Sequence, residues 1–195
     1  MIATLVLAGL LLSATFTDIR ERKVYNWVTY PGILVALIGN ALASLGGLEL
    51  DSPLNAWLGL IGMPESFAGC AGVGFLMVAC FVLFPGSVGG GDVKLLAMIG
   101  AFLGPSRGVE VLLWTFVLAA CMAVVFLVWR VGARVLLARA VRRLVALARL
   151  GMGVPISGAP GQQSRTDVFL SPAALAAVMI VQFLSRHGYP GMVMW

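Results

Sequence analysis

Asp92 stands directly behind three glycines, Gly89-Gly90-Gly91, and Asp18 stands at the end of the first apolar run of the chain. Both border segments apolar enough to lie in a bilayer, where a carboxylate is costly to keep and points to a working site. Two carboxylates in close contact cannot both ionise, so they share a proton. Such a pair offers a base that activates water and an acid that polarises a carbonyl, which is what hydrolysis of a peptide bond requires. The pair titrates as a unit, so neither role belongs to one residue. The glycines permit positive φ and close approach of another backbone, and the amides of the helix start behind them can donate to an extended peptide. Taken singly, each acid also has a plain structural use. Asp18 suits an interfacial helix end, and Asp92 suits a helix cap.

The elements that must hold these residues follow from composition. The chain has 195 residues, 61% hydrophobic and 11% charged, against about 25% charged in soluble domains, and its mean hydropathy is +1.02. The expected fold is all-α, a polytopic membrane protein of about six transmembrane helices, forming a single domain over 1–195. Helices are predicted over about Ile2–Thr17, Val28–Leu45, Phe67–Phe84, Asp92–Leu103, Val109–Trp129 and Val168–Leu184. The fourth is short and breaks at Gly104-Pro105, because proline removes a donor and clashes with the preceding turn. Leu54–Ile61 suits the membrane interface. Residues 130–149 interleave arginine with Leu136, Val141, Leu144, Val145 and Leu147, the pattern of an amphipathic helix on an anionic lipid surface. Residues 150–165 read as a flexible linker. The first run has no basic residue before it and no small-x-small cleavage site, so it is read as a retained helix.

With the N-terminus outside, all of the 13 Lys and Arg residues except Arg107 and Arg186 fall on the cytoplasmic side, as the positive-inside rule requires. That orientation, derived from basic residues alone, brings Asp18 and Asp92 to the same membrane face, the cytoplasmic one.

Other chemistries find little support. Cys70, Cys80 and Cys121 lie singly in apolar segments, as small buried residues do. One histidine, His187, excludes a multi-histidine metal site, and two carboxylates make a thin ligand set. No metal and no cofactor are expected. The basic segment lacks interleaved aromatics, so nucleic acid is not an expected partner. A proton-coupled carrier is the alternative use of two membrane acids, but such sites lie near the midplane within repeated halves, and no repeat is visible. A non-enzymatic assembly subunit, with 130–149 docking a cytoplasmic partner, is a third reading. Thr166-Asp167 reads as a helix cap. Asn40 and Gln182 are expected to hydrogen-bond between helices, the tryptophans to anchor helix ends, and Gly69-x-x-Gly72 and Gly100-x-x-x-Gly104 to form packing faces.

The combination is more specific than its parts. Asp18-Ile-Arg20 follows the first helix, Asn26 precedes the second, and Gly89-Gly90-Gly91-Asp92-Val93-Lys94 lies at the same face. In these residues the chain resembles the prepilin peptidases, the type IV leader peptidases with a Gly-x-Gly-Asp motif. The resemblance implies an intramembrane aspartic endopeptidase that removes a short basic leader from pilin-like and pseudopilin precursors at the cytoplasmic face of the bacterial inner membrane. Asp18 and Asp92 match the two family aspartates. Gly89, Gly91 and Lys94 match the pattern around the second, Arg20 and Asn26 the segment after the first. Gly90 completes the turn, and Lys94 is expected either to tune the pair or to reach the headgroups. Val24-Tyr25-Asn26 stands where the family often has Ile-Pro-Asn. The paired cysteines of the longer, methylating members are not found in these residues, so the chain resembles the short branch serving Flp/Tad-type pili, with cleavage and no N-methylation. A preflagellin-type peptidase is the neighbouring alternative. Oligomeric state is not legible in the sequence.

Overall fold

The inward faces of α1 and α2 are narrow stripes in which small and polar residues take several of the places. In α1 (Ile2–Glu21) the buried residues are Leu7, Leu11, Ala14 and Asp18, spaced by four and three so that they share one face. In α2 (Asn26–Leu45) they are Thr29, Gly32, Ala36 and Asn40. Large apolar side chains such as Leu12, Phe16, Leu34, Phe75 and Val82 point outward. This inversion suits lipid, where small inward residues let backbones approach and outward apolar ones meet acyl chains. The computed structural model describes residues 2–21, 25–47, 52–83, 89–131 and 170–186.

The remaining described helices are α3 (Pro53–Leu58), α4 (Met63–Leu83), α5 (Gly90–Val131) and α6 (Leu170–Arg186). Segments within α1, α2, α4 and α5 are long and apolar enough to cross a membrane, and Leu170–Ser185 is a shorter apolar helix. The protein is therefore an all-α, multi-pass membrane protein. Helix α1 packs against α2, α3 and α6, and α2 packs against α4.

Gly104 breaks α5 with φ +81° and ψ 178°, a conformation that favours glycine, and Pro105 follows. Residues 100 and 108 would be about 12 Å apart along an unbroken helix. Instead, a Cβ on Gly108 would lie 3.1 Å from the Gly100 Cα. Within the first unit of the chain, residues 90–103 and 105–118 thus fold back on each other, leaving Pro105, Ser106 and Arg107 exposed at the turn. The first arm presses on α4 at a crossing without side chains. A Cβ on Gly69 would collide with the Gly100 carbonyl oxygen, and one on Gly100 with that of Gly69. Ser66 Oγ donates to the Ala101 carbonyl at 2.7 Å beside this crossing. Of the expected packing glycines, Gly69 and Gly100 make the crossing, Gly104 makes the turn, and Gly72 meets nothing.

The same end of the bundle is closed by the α2–α4 connection. Ser52 caps α3, accepting from the Asn55 amide at 3.2 Å. Asn55 then brackets Leu60, donating to its carbonyl and accepting from its amide, both at 3.1 Å. Asn40 Oδ1 accepts from the amides of Ile61 at 2.9 Å and Gly62 at 3.1 Å, and its Nδ2 donates to Ala36. Asn40 was expected to bridge helices; it pins a connection instead, because the incoming chain offers two amides with no other acceptor.

Several helix ends move. α1 runs to Glu21 and not to Thr17, so Asp18 and Arg20 are helical. Charged residues end the apolar run without breaking backbone hydrogen bonds, so the helix outlasts it. α2 opens at Asn26, α4 at Met63 and α6 at Leu170, and the interfacial stretch near Leu54 contains α3. Segment 130–149, apart from the last residues of α5, lies outside the described residues, as do 150–165, Asp167 and His187. By contact the chain divides into two units, Met1–Leu118 with Phe169–Trp195, and Ala119–Val168. The site described next lies wholly in the first.

Candidate active site

Asp18 is the last member of the inward stripe of α1 and is 9% exposed. Its Oδ2 finds no hydrogen-bond partner among the described residues. Burial of a carboxylate oxygen without a donor is costly, so this position is held by the packing of α1 and not by polar contacts of its own.

The α2 start lies close by. The Tyr25 hydroxyl donates to the Glu21 carboxylate in the last turn of α1. That acceptor, together with its negative charge, pushes the Tyr25 phenol above its ordinary value, so Tyr25 is a proton donor throughout the neutral range. The contact ties the end of α1 to the residue that precedes Asn26.

Asp92 is the third residue of α5, behind Gly89, Gly90 and Gly91. Its side chain folds back so that Oδ2 accepts from the Gly89 amide at 3.1 Å. The Gly89 carbonyl accepts in turn from the Asp92 amide at 3.1 Å and the Val93 amide at 3.4 Å. This is one half of a capping box, with aspartate in the place usually taken by Glu or Gln, and the helix backbone supplying the return bond that Gly89 has no side chain to make. The capping use of Asp92 is therefore real, and it fixes one carboxylate oxygen. The glycines do not adopt the positive φ expected of them. Among the described residues that conformation belongs to Gly47, Gly59, Gly62 and Gly104, because Gly90 and Gly91 are already helical. Their smallness matters differently. A Cβ on Gly89 would lie 3.0 Å from Asp92 Oδ2, whereas one on Gly90 would meet nothing within 4 Å. Gly90 faces open space in front of a helix start whose first amides lack intrahelical acceptors.

Lys94 joins the two helix starts. Its Nζ donates to Asn26 Oδ1 at 2.9 Å and lies 4.8 Å from the centroid of the Tyr30 ring, within cation–π range. Lys94 thus holds α5 to α2. With α1 packed on α2, Asp18 comes near enough for its charge to act on Asp92. The structure brings together Asp18, Asp92, Gly89, Lys94 and Asn26. Arg20 is exposed, two residues beyond Asp18 and so on another side of α1. Sequence reasoning missed Tyr30 and Glu21. Tyr30 was legible as one helical turn beyond Asn26, the spacing that places both beside one partner.

A family model described as the type IV leader peptidase family matches residues 5–127. That range takes in α1 through most of α5 and leaves α6 outside. Comparisons with curated proteins and with solved structures return no match.

Proposed function

The chain belongs to the type IV leader peptidase family, and from that premise we propose that it is an aspartic endopeptidase in which Asp18 and Asp92 form the catalytic pair. The reading is supported by two membrane acids at separate helix ends, near enough for the charge of one to act on the other, and by an oxygen of Asp18 buried without a donor among the described residues. Nothing in the packing of α1 explains a carboxylate at position 18, since a small apolar residue would fill the stripe equally well.

The chemistry follows from the shared proton. The ionised carboxylate takes a proton from water as the water oxygen bonds to the scissile carbonyl carbon. The protonated carboxyl gives its proton to the carbonyl oxygen, forming a gem-diol. Collapse of the gem-diol returns one hydroxyl proton to the carboxylate that had given its own and breaks the C–N bond, and the amine leaves with the proton that the other carboxylate took from water. Gly90, open toward solvent, lets an extended substrate backbone approach. Lys94 and Asn26 hold the two helix starts at a fixed separation.

The substrates are prepilin or pseudopilin precursors of the Flp type, from which a short basic leader is removed at the cytoplasmic face of a bacterial inner membrane. The basic-residue asymmetry of the sequence supports that orientation. Cys70, Cys80 and Cys121 are unpaired thiols, which supports cleavage without N-methylation. Residues 130–149 supply attraction to anionic lipid. Co-expression with a Flp-type prepilin tests the reading. Wild type should convert precursor to mature pilin with an unmethylated N-terminus by mass, and Asp92→Asn should leave only precursor. Equal processing by both would remove Asp92 from the chemistry.

A further inference from the structure

Several hydroxyls in these helices satisfy themselves on their own backbone. Ser13 donates to Leu10 O at 2.8 Å, Thr17 to Ala14 O at 2.9 Å and Thr115 to Val111 O at 2.7 Å. This is the default for Ser and Thr inside a helix. Three other hydroxyls differ, both from these and from those of Ser44 and Ser66, which pair with other segments. Thr15 Oγ1, Thr29 Oγ1 and Ser171 Oγ are buried and find no partner among the described residues, as does Asp18 Oδ2. Thr29 is 1% exposed and Ser171 0%.

The helix registers bring these four oxygens to one end of the bundle. Thr15 is one turn before Asp18 on α1. Thr4, Leu5 and Ala8 of α1 line one pocket with Val178, Met179 and Gln182 of α6. The beginning of α1 therefore lies beside the later half of α6, and the packed helices run antiparallel. Continuing that register along the buried stripe Leu7–Leu11–Ala14, against Ala177 and Ala174, brings Ser171 level with Thr15. On the other flank, Gly32 of α2 sits against Leu10 of α1 and Met98 of α5. Thr29 lies one turn from Gly32 toward Asn26, and so toward the dyad.

Resting on the aspartic peptidase reading, we propose that Thr15, Thr29 and Ser171 form a hydroxyl-walled water site beside the free oxygen of Asp18, from which the hydrolytic water reaches the dyad. Buried polar atoms of this kind are satisfied by water with two to four polar neighbours, and a carboxylate with three hydroxyls offers both acceptors and donors. Peptide hydrolysis consumes one water per bond, and lipid around the bundle holds almost none. The site is thus the store that a membrane-embedded hydrolase needs. Ser171 is a positioning residue supplied by α6, beyond the segment matched by the family.

The test separates this inference from the function it rests on. In purified enzyme with a prepilin substrate, Ser171→Ala should lower kcat about ten- to a hundredfold, the scale of a misplaced reactant, and leave KM unchanged. Ser66→Ala, which removes a paired hydroxyl at the other end, should leave kcat intact. Independently of cleavage, Ser171→Cys in a background with Cys70, Cys80 and Cys121 replaced by alanine gives an infrared S–H band at the site. On transfer to D2O that band should shift to S–D within minutes. Unchanged kcat in Ser171→Ala, or an S–H that resists exchange for hours in the folded protein, would overturn the water site. If the wild type cleaves no prepilin, the proposed function fails, and the exchange measurement alone still decides for or against the water site.

Discussion

At the Gly104 end of the bundle, Asn40 takes two backbone amides, Asn55 brackets Leu60, Ser44 accepts from the Met63 amide at 3.0 Å, and Ser66 donates to Ala101. At the opposite end, Asp18 Oδ2 and the hydroxyls of Thr15, Thr29 and Ser171 are buried and go unpaired among the described residues. Helix α2 contributes to both ends, with Asn40 and Ser44 at one and Thr29 at the other. The difference is in use. Paired polar groups define where the chain turns, whereas unpaired ones keep their hydrogen-bonding capacity for something that arrives later. Buried polar groups left unsatisfied in a native fold call for such an explanation, and here they gather at the end that carries the two acids.

Substitutions at the two ends should therefore part company. The largest effect on folding is expected at the α4–α5 crossing. Gly100→Val drives a side chain into the Gly69 backbone, which cannot rotate away, and the loss should reach or exceed about 3 kcal/mol, the upper range for overpacking. Little folded protein should survive extraction in mild detergent. Asn40→Leu comes next. It strands the Ile61 and Gly62 amides, each worth roughly 1–3 kcal/mol when buried and unmade, and should lower the melting temperature while the surviving protein cleaves normally. Thr29→Val is the smallest for stability. It removes a hydroxyl without a protein partner among the described residues, so stability should change by less than about 0.5 kcal/mol or rise slightly, while cleavage falls. A Thr29→Val that melts early and cleaves normally would erase the distinction between the ends.

Much of this was legible in the residues. Asp18 and Asp92 stand out because each interrupts an apolar run, and Gly104-Pro105 marks a break by backbone sterics alone. The positive-inside count brings the two acids to one face before any packing is known. What stayed hidden depends on rotation and register. Leu7, Leu11, Ala14 and Asp18 form an inward stripe, yet α1 is apolar on every side, so periodicity does not say which side is buried. Thr15, Thr29 and Ser171 look like the Ser and Thr residues that bond their own helices, and only the packed arrangement separates them. Lys94 offered two outcomes in sequence. Its contacts with Asn26 and Tyr30 on α2 are a third outcome, which only the packing of α5 on α2 brings out. Helix ends were misplaced where charged residues continue a helix beyond its apolar stretch, as at Asp18–Glu21.

The central claim is that Asp18 is kept for chemistry and not for the fold. Asp18→Asn keeps the shape and removes the charge and the shared proton. Thermal unfolding and prepilin cleavage measured on the same preparation test it most directly. The account predicts a melting temperature at or above that of the wild type, because an unpaired buried carboxylate is gone, and cleavage lowered by at least about 10²–10⁴-fold. Retained cleavage, or unfolding that accounts for the loss, would contradict it.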